Sequence, residues 1–397
     1  MYRSFSDLVL LVGTNPLPNY VVASYFLHQN LDGIRRIWLL YSEETRFQSG
    51  TEELAKNLKD VLARTNPAFT GQFFLKSLSD VGNAKQISSD ITRKLLNPLR
   101  QLDFTGIHLN YTGGTKAMAV HIYRGIESYF PNEASFSYLD ARDYKIKDDY
   151  EGAITGDLRL EIKIDFEDLI KLHGYERAST NEKLPPPEII SKTMHCIDEI
   201  INRTGNAEVY IDFFCRGIYP KDSAIRQLIE PITAYKREYK KFMQGLWLEY
   251  YTASKIQQII NQNPRLKKRT NLYVESNVNL KKDGKKLELD VVVLNGYQVS
   301  GISCTAKHKE EEVKQKGFEV IHRVHQIGGE ESKAVVVSGL RGEQINGAFY
   351  SEQERVRRVK ADLGTITGST ERLEVLGVSD HLHLDSILLG FIWGEEA

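Results

Sequence analysis

The feature that most constrains the fold is a regular alternation of short apolar runs with helix-like stretches over about the first 145 residues. Apolar runs of four to six residues are typical of strands that are buried on both faces. Five such strands are predicted, with helices between them: Leu8–Val12, Ile37–Tyr41, Gln72–Leu75, Ile107–Asn110 and Ala134–Leu139. This order predicts an α/β domain with a mostly parallel, doubly wound, Rossmann-like sheet.

Two glycine loops follow strands of this sheet, one after the first strand and one after the fourth. Ligands of doubly wound sheets bind outside the carboxyl ends of the strands, where backbone amides and a helix N-terminus can hold an anion. The spacing matches neither a Walker loop nor GxGxxG. On spacing alone, a glycine turn that caps a helix is an equally good interpretation. The candidate ligand-binding residues are Gly13, Thr14, Asn15, Pro16, Thr112, Gly113, Gly114, Thr115 and Lys116.

The last third of the chain, residues 241–397, has a different order of elements. The pattern predicts a helix from about residue 246 to 261, three strands joined by the turns Asp283-Gly284 and Asn295-Gly296, a helix over 310–327 and a buried strand over 334–337. Between the two ends, residues 146–240 are predicted to form a connecting region or small helical module. Its elements are an exposed strand over 158–164, a proline linker at 185–187, and helices over 189–201 and 224–242.

Acidic residues of the last third are candidate metal ligands. Glu288 and Asp290 head an apolar strand and share a face, because side chains at i and i+2 point the same way. Glu249 lies in an apolar helix, and clustered carboxylates suit Mg²⁺ or Mn²⁺. The alternative is that the two strand acids pair with lysines across the hairpin. The next strand places Ser303, Thr305 and Lys307 on one face.

A local excess of positive charge lies close to these acids. Residues 265–286 contain eight Lys or Arg against two acids, which leaves an excess of six. Trp247, Tyr250 and Tyr273 add candidate stacking surfaces, so the region fits a phosphodiester substrate. A solvated lysine-rich hairpin is the ordinary alternative.

Composition limits the class of protein. The net charge of −1 attracts neither nucleic acid nor membrane globally, so any such binding requires a local patch. The three cysteines form no CxxC pair, and no apolar run approaches bilayer length. We therefore expect a cytoplasmic protein without disulfides.

Taken together, these residues resemble two known domain families. The first 145 or so residues resemble the CRISPR-associated Rossmann-fold (CARF) sensor domain, whose two ligand loops match Gly13–Pro18 and Asn110–Met118, the second of which contains the string TGGTKAM. Residues 241–397 resemble a restriction-endonuclease-like PD-(D/E)xK nuclease. The combination is similar to the cyclic-oligoadenylate-activated nucleases of type III CRISPR antiviral defence.

One departure from the nuclease motif bears on activity. The family carries Glu-x-Lys on the strand after the acidic one, and this chain has Ser303 and Thr305 at those positions. Glu288 and Lys307 could restore the carboxylate and the positive charge. The alternatives are a regulator with an inactive nuclease-like domain, or a sensor domain that itself cleaves its cyclic ligand.

The resemblance implies a mechanism. A homodimer binds a cyclic oligoadenylate, in particular cyclic tetra-adenylate, across two sensor domains, and binding shifts the nuclease domains into an active arrangement. Asp290, Glu249 and Glu288 then hold Mg²⁺ or Mn²⁺, and Lys307 stabilises the reacting phosphate of an RNA or DNA substrate.

Overall fold

The computed structural model describes residues 5–29, 33–46, 49–179, 184–233, 235, 238–368 and 370–395. The chain forms two compact units. The first comprises the residues up to 176 together with 326–331, and the second comprises 177–325 and the residues from 332 onward. Of the region predicted as a connection, residues 146–176 therefore pack within the first unit and 177–240 within the second.

The first unit is built on a seven-stranded sheet of order β3-β2-β1-β4-β5-β6-β7. Strands β1 to β5 are parallel, and β6 and β7 continue the sheet in antiparallel fashion. All five predicted strands are present, so the predicted doubly wound α/β sheet is confirmed. The strands are β1 (Asp7–Val12), β2 (Arg36–Ser42), β3 (Gln72–Leu78), β4 (Ile107–Asn110), β5 (Ala134–Asp140), β6 (Lys145–Asp148) and β7 (Gly152–Ala153).

Helices pack on the sheet because alternate strand residues point to opposite faces. Val9 and Leu11 of β1 share one core cluster with Ile122 and Ile126 of the helix that follows β4. The helices are α1 (Leu17–Gln29), α2 (Glu52–Thr65), α3 (Ala84–Ile91) with a π-helical turn (Thr92–Leu96), α4 (Asn97–Leu99), α5 (Lys116–Tyr129), α6 (Leu158–Glu161) and α7 (Phe166–Leu172). The strand predicted over 158–164 is wrong: Asp157 caps a helical turn there by accepting the Arg159 N–H.

The second unit contains a six-stranded mixed sheet of order β15-β12-β11-β10-β9-β8 and a separate two-stranded ribbon of β13 and β14. Both predicted hairpin turns are present, with Asp283, Gly284 and Gly296 at positive φ. The strands are β8 (Glu176–Arg177), β9 (Leu272–Lys282), β10 (Lys285–Asn295), β11 (Gln298–Thr305), β12 (Lys333–Ser338), β13 (Glu343–Ile345), β14 (Ala348–Tyr350) and β15 (Leu373–Leu376).

Helices cover this second sheet, and the predicted α-β-β-β-α-β order is confirmed. The helix predicted over 224–242, of which 234 and 236–237 lie outside the described residues, ends early at Thr233. The helices are α8 (Pro187–Thr204), α9 (Glu208–Arg216), α10 (Ser223–Thr233), a π-helical turn (Phe242–Leu246) leading into α11 (Trp247–Gln262), α12 (Glu310–Gly328), α13 (Glu352–Thr367) and α14 (Leu384–Trp393), with short 3₁₀ turns at Leu266–Lys268, Gly329–Glu331 and Ser379–His383.

Two further findings bear on the expectations from composition. Within the described residues, no helix combines the length and the apolar character needed to cross a bilayer. Cys196, Cys215 and Cys304 are all free thiols.

A buried imidazole lies in the middle of the first sheet. His108 of β4 contacts the hydroxyls of Ser135 and Ser137 on β5, each at 2.7 Å, and stacks on Phe5. Its side chain is fully buried, and burial lowers the pKa of His108 to about 3 because the charged form loses its hydration. The folded first unit therefore requires His108 to be neutral.

We expect His108 to make folding sensitive to acid. The unfolded chain takes up a proton near pH 6.5 and the folded chain only near pH 3, so stability is complete above 6.5 and falls as the pH drops between these values. The loss at about pH 5 is about 2 kcal/mol. His108→Gln has no imidazole to titrate and lacks this loss. The free energy of unfolding of wild type minus that of the variant should therefore be about 2 kcal/mol smaller at about pH 5 than at about pH 8.

Urea unfolding followed by circular dichroism at the two pH values measures this difference. His28→Gln, at an exposed position on α1, is the control. An equal difference at both pH values would contradict the prediction.

Candidate ligand and nuclease sites

The two glycine loops of the first unit meet at the point where the strand order reverses. β1 and β4 are adjacent parallel strands, paired from Asp7 with Ile107 to Leu10 with Asn110. The chain continues from β1 to β2 on one side of this pair and from β4 to β5 on the other. A crevice therefore opens at the carboxyl ends of β1 and β4, which is where doubly wound sheets bind ligands.

Close backbone packing explains the glycines of both loops. A Cβ on Gly13 would lie 2.9 Å from the backbone nitrogen of Gly114, and a Cβ on Gly113 would lie 2.1 Å from the Leu11 carbonyl oxygen. Gly114 has a φ of +74°, in the left-handed region that favours glycine. The structure thus brings the two predicted loops into direct contact, and only glycine allows this approach.

Hydroxyls of the second loop fix its shape. The Thr112 hydroxyl donates to Asn110 Oδ1 at 2.7 Å and accepts the Leu139 N–H at 2.6 Å, which ties the loop to β5. The Thr115 hydroxyl caps α5 by accepting the Met118 N–H at 3.2 Å. Lys116 is exposed at the first position of α5, beside the positive end of the helix.

The first loop is fixed by its asparagine. Asn15 Oδ1 accepts the Leu17 N–H at the start of α1 and lies 3.1 Å from Nε2 of His173. Pro16 is buried, whereas Thr14 is exposed. Thr14 and Lys116 are therefore the two predicted loop residues whose side chains face solvent.

Two cations near these loops were missed by the sequence analysis. Arg142 and Lys147 both bind the Asp140 carboxylate, at 2.7 Å and 2.6 Å, just beyond the Leu139 amide that holds Thr112. Their hydrogen bonds hold the pKa of Asp140 well below its usual range. The available signal was their position after β5, at the same edge of the sheet as the loops.

In the second unit, β10 and β11 separate at Asp290. Their ladder runs from Asn295 and Gln298 to Val291 and Ile302, and β11 then continues beside β12 alone. At the separation, Asp290 Oδ2 accepts the Cys304 N–H at 2.7 Å and the Ser303 hydroxyl at 3.0 Å. The Asp290 carboxylate thus takes the place of the backbone carbonyl that β10 would offer to the Cys304 N–H if the ladder continued. We call this arrangement the fork.

Glu249 lies beside the fork. Both Glu249 and Asp290 are mostly buried, at 8% exposure each. The Cys304 thiol is 3.5 Å from Thr252 Oγ1, one turn along α11 from Glu249. Burial raises the pKa of Cys304 most, and the negative charges of Asp290 and Glu249 raise it further. Two carboxylates from different elements therefore act on one thiol, so the fork is a concentrated negative site.

The other predicted nuclease residues lie around the fork. Glu288 is exposed two residues before Asp290, and Thr305 is buried. The Lys307 ammonium is 3.1 Å from Glu312 Oε1 at the surface. A cation that sequence reasoning missed is Lys316 of α12, which lowers the pKa of Cys304 and so lies near the fork. No local sequence signal marks Lys316, because the packing of α12 on the sheet sets its position.

Helix α12 contacts both strands of the fork. Arg323 Nη1 donates to the Glu288 carbonyl of β10 at 2.7 Å. A Cβ on Gly301 of β11 would lie 3.1 to 3.2 Å from Val320 and Val324, so α12 packs directly on the β11 backbone.

The positive charges of residues 265–286, which include the hairpin beside the fork, are distributed unevenly. Lys282 pairs with Lys285 and Lys281 with Lys286 across the β9–β10 turn, which places like charges opposite one another. Arg265 and Arg269 instead bind Glu395. Trp247 is wrong as a stacking surface: it is fully buried and stacks on Phe214 at 4.8 Å.

The carboxylates at the fork supply part of the ligand set that a hard divalent cation needs. Mg²⁺ is commonly held by one or two carboxylates with water completing its shell, and Asp290 and Glu249 supply that number. Within the described residues, no group of three or more His, Cys, Asp or Glu is arranged to hold a metal ion. A third protein carboxylate would require Glu288 to turn toward the fork.

No protein-family model and no curated protein matches the sequence. Among the solved structures that match, two examples align over nearly the whole chain. Can2 from Sulfobacillus thermosulfidooxidans, solved in complex with cyclic tetra-adenylate, is 17% identical with a TM-score of 0.61, over 95% of this chain and 97% of Can2. VC1899 from Vibrio cholerae is 16% identical with a TM-score of 0.62, over 96% of each chain. This chain shares their fold. At such identities, the likeness concerns the fold alone.

We expect Gly113→Ala to destabilise the first unit. The added Cβ would lie 2.1 Å from the Leu11 carbonyl oxygen, so the loop must shift at a cost of roughly 1–3 kcal/mol. Urea unfolding measures the difference. Gly156→Ala is the matched control, since its nearest neighbour would be Glu161 Oε1 at 3.4 Å. Equal stability of the two variants would contradict the proposed loop packing.

We expect Asp290→Asn to make the Cys304 thiol more reactive. The substitution removes a negative charge that raises the pKa of Cys304, so the thiolate fraction at about pH 8 should increase. Alkylation by iodoacetamide, followed by mass spectrometry of the Cys304 peptide, gives the rate. Glu288→Gln on the same strand is the control. An equal alkylation rate in both variants would contradict the effect of the Asp290 charge on the thiol.

Proposed function

We propose that this protein is a cyclic-oligoadenylate-activated, metal-dependent nuclease of type III CRISPR defence that cleaves RNA or DNA. One observation carries the proposal: the two glycine loops meet at the strand-order reversal, in a chain whose fold matches that of a protein solved with cyclic tetra-adenylate. The loops, the α5 N-terminus and the nearby Arg142 and Lys147 suit an anionic ring.

Cyclic tetra-adenylate is the activator proposed for this chain, bound by the nine loop residues named above across a homodimer. A ring with rotational symmetry matches a two-fold protein axis. Ligand binding would act on the second unit only by favouring one of two pre-existing arrangements.

The proposed catalytic site is the fork. Asp290 and Glu249, with Glu288 as a further carboxylate, would hold Mg²⁺ or Mn²⁺, which lowers the pKa of bound water and neutralises phosphoryl oxygens when present. Ser303 and the Cys304 N–H orient the Asp290 carboxylate through their hydrogen bonds to Oδ2. Thr305 lies on the same strand, and Lys307 and Lys316 supply positive charge for the reacting phosphate. The four lysines of the hairpin, Lys281, Lys282, Lys285 and Lys286, would supply positive charge to a polyanionic substrate.

A second candidate is a ligand-binding regulator whose nuclease-like domain is inactive. The observation in its favour is that Asp290 Oδ2 is already held by two internal donors, while Lys307 pairs with Glu312. This candidate binds nucleic acid in response to the ring without cutting it.

The test incubates the protein with single- and double-stranded RNA and DNA, with and without Mg²⁺ or Mn²⁺, and with and without cyclic tetra-adenylate. We expect cleavage only when metal and ring are both present. Asp290→Ala should lower the rate at least a hundredfold, on the order of the loss of an essential electrostatic group. Its affinity for cyclic tetra-adenylate should equal that of wild type.

Lys147→Ala is the matched variant in the first unit and should weaken ring binding without changing the fork. Ring binding without any cleavage would favour the regulator. Cleavage that persists in Asp290→Ala would remove the fork from the reaction, and shortening of the ring itself without metal would favour a self-cleaving sensor.

A further inference from the structure

The β9–β10 hairpin has an apolar face and a polar face between the fork and its turn. The apolar face contains two cross-strand pairs whose side chains are all buried, Val278 with Leu289 and Leu280 with Leu287. Asn279 and Glu288 pair at the position between them, so their side chains lie on the opposite face, because successive residues of a strand alternate. Asn279 is half-buried and Glu288 is exposed, so this polar face is open to solvent.

The polar face begins at the Asp290 carboxylate. The ladder keeps the same register on both sides of Asp290, which places Asn277 opposite it. In order from the fork to the turn, the face therefore carries three cross-strand positions: Asn277 opposite Asp290, Asn279 with Glu288, and Lys281 with Lys286. Its character changes over a short distance from carboxylates with carboxamides to two ammonium groups.

Asn277 has a backbone conformation that is unusual inside a strand. Its φ is +54°, in the left-handed region that asparagine tolerates better than most residues. Asn279 Nδ2 donates to Asn277 Oδ1 at 3.0 Å and to the Asn277 carbonyl oxygen at 3.2 Å. These bonds fix the Asn277 carboxamide by its oxygen, while its Nδ2 remains a donor for an acceptor from outside. A backbone outlier held in this way is typical of functional sites.

The four lysines of the turn are divided between the two faces. Lys281 and Lys286 lie on the polar face, whereas Lys282 and Lys285, one residue further along each strand, lie on the face of the buried leucines. Arg323 of α12 adds a third positive charge beside the middle of the polar face, where it binds the Glu288 carbonyl at 2.7 Å. Only one of the two lysine pairs is therefore continuous with the fork.

We propose that the sugar-phosphate backbone of a nucleic acid lies along this polar face, from the fork past the two asparagines to Lys281 and Lys286. The proposal rests on the proposed nuclease function and specifies the path of its substrate. The Asn277 carboxamide donates to a phosphate next to the fork, and the two ammonium groups bind a phosphate nearer the turn. Contacts of this kind position a nucleic acid without reading its sequence.

The first test uses the two exposed lysines of β10. The full chain, with cyclic tetra-adenylate and Ca²⁺, is titrated with fluorescein-labelled single- and double-stranded DNA and RNA at several salt concentrations. Lys286→Gln and Lys285→Gln remove the same charge from neighbouring positions, but only Lys286 lies on the polar face. We expect Lys286→Gln to weaken single-strand binding about fivefold at about 0.1 M salt and to reduce the slope of log affinity against log salt by about 0.7. Lys285→Gln should bind as wild type.

The second test removes the Asn277 carboxamide. Asn277→Gly keeps the left-handed backbone available, because glycine adopts positive φ without strain. We expect its affinity for nucleic acid to fall several-fold with an unchanged salt slope, because a hydrogen bond is lost but no charge. Asn346→Gly is the matched control, since Asn346 also has a positive φ, of +50°, in the β13–β14 turn. Melting temperatures establish that all four variants are folded.

The outcomes separate this proposal from the function on which it rests. Weaker binding by Lys286→Gln and Asn277→Gly, with both controls as wild type, supports the path along the polar face even if the protein cuts nothing. Equal losses in the two lysine variants, or no loss in either, overturn the path even if Asp290→Ala abolishes cleavage. An unchanged affinity of Asn277→Gly also overturns it. Failure of wild type to bind any of the nucleic acids overturns both the path and the proposed function.

Discussion

The separation of β10 from β11 is the constraint on which the second unit depends. A strand that leaves its neighbour exposes backbone donors, and a buried donor without an acceptor is costly. Asp290 removes that cost by accepting the Cys304 N–H, which also places its carboxylate between the strands. Asp290 therefore both satisfies the backbone of the separated strand and supplies a carboxylate at the fork. Glu249 of α11 is the second carboxylate.

The candidate ligand site of the first unit depends on a different structural feature. Here the essential feature is the lack of side chains at Gly13 and Gly113, which lets two loops from adjacent strands touch through their backbones. Thr112 and Asn15 then fix the loops with hydrogen bonds to β5 and α1. The polar hydroxyls that suggested ligand contacts in the sequence thus also serve the shape of the loops.

Much of this architecture could be predicted from the sequence. Apolar runs located the five parallel strands, and the Asp283-Gly284 and Asn295-Gly296 turns located the two hairpins, because these signals are local. The errors concern what tertiary packing decides. The stretch after Leu158 alternates like a strand but is capped as a helix by Asp157, and Trp247 is enclosed by α9. Lys316 went unnoticed because it comes near the fork only through the packing of α12.

The two contacts of α12 have a mechanical consequence. Arg323 binds β10 at Glu288, beyond the point where the strands separate, and Val320 and Val324 pack on β11 at Gly301, where β11 is still paired with Val292 of β10. One helix therefore contacts the sheet on both sides of the branch point. Unzipping of the ladder past Val291 would move Glu288 relative to Gly301, so it would disturb the Arg323 hydrogen bond or the packing on Gly301. The end of the ladder is thus fixed by the helix as well as by the two strands.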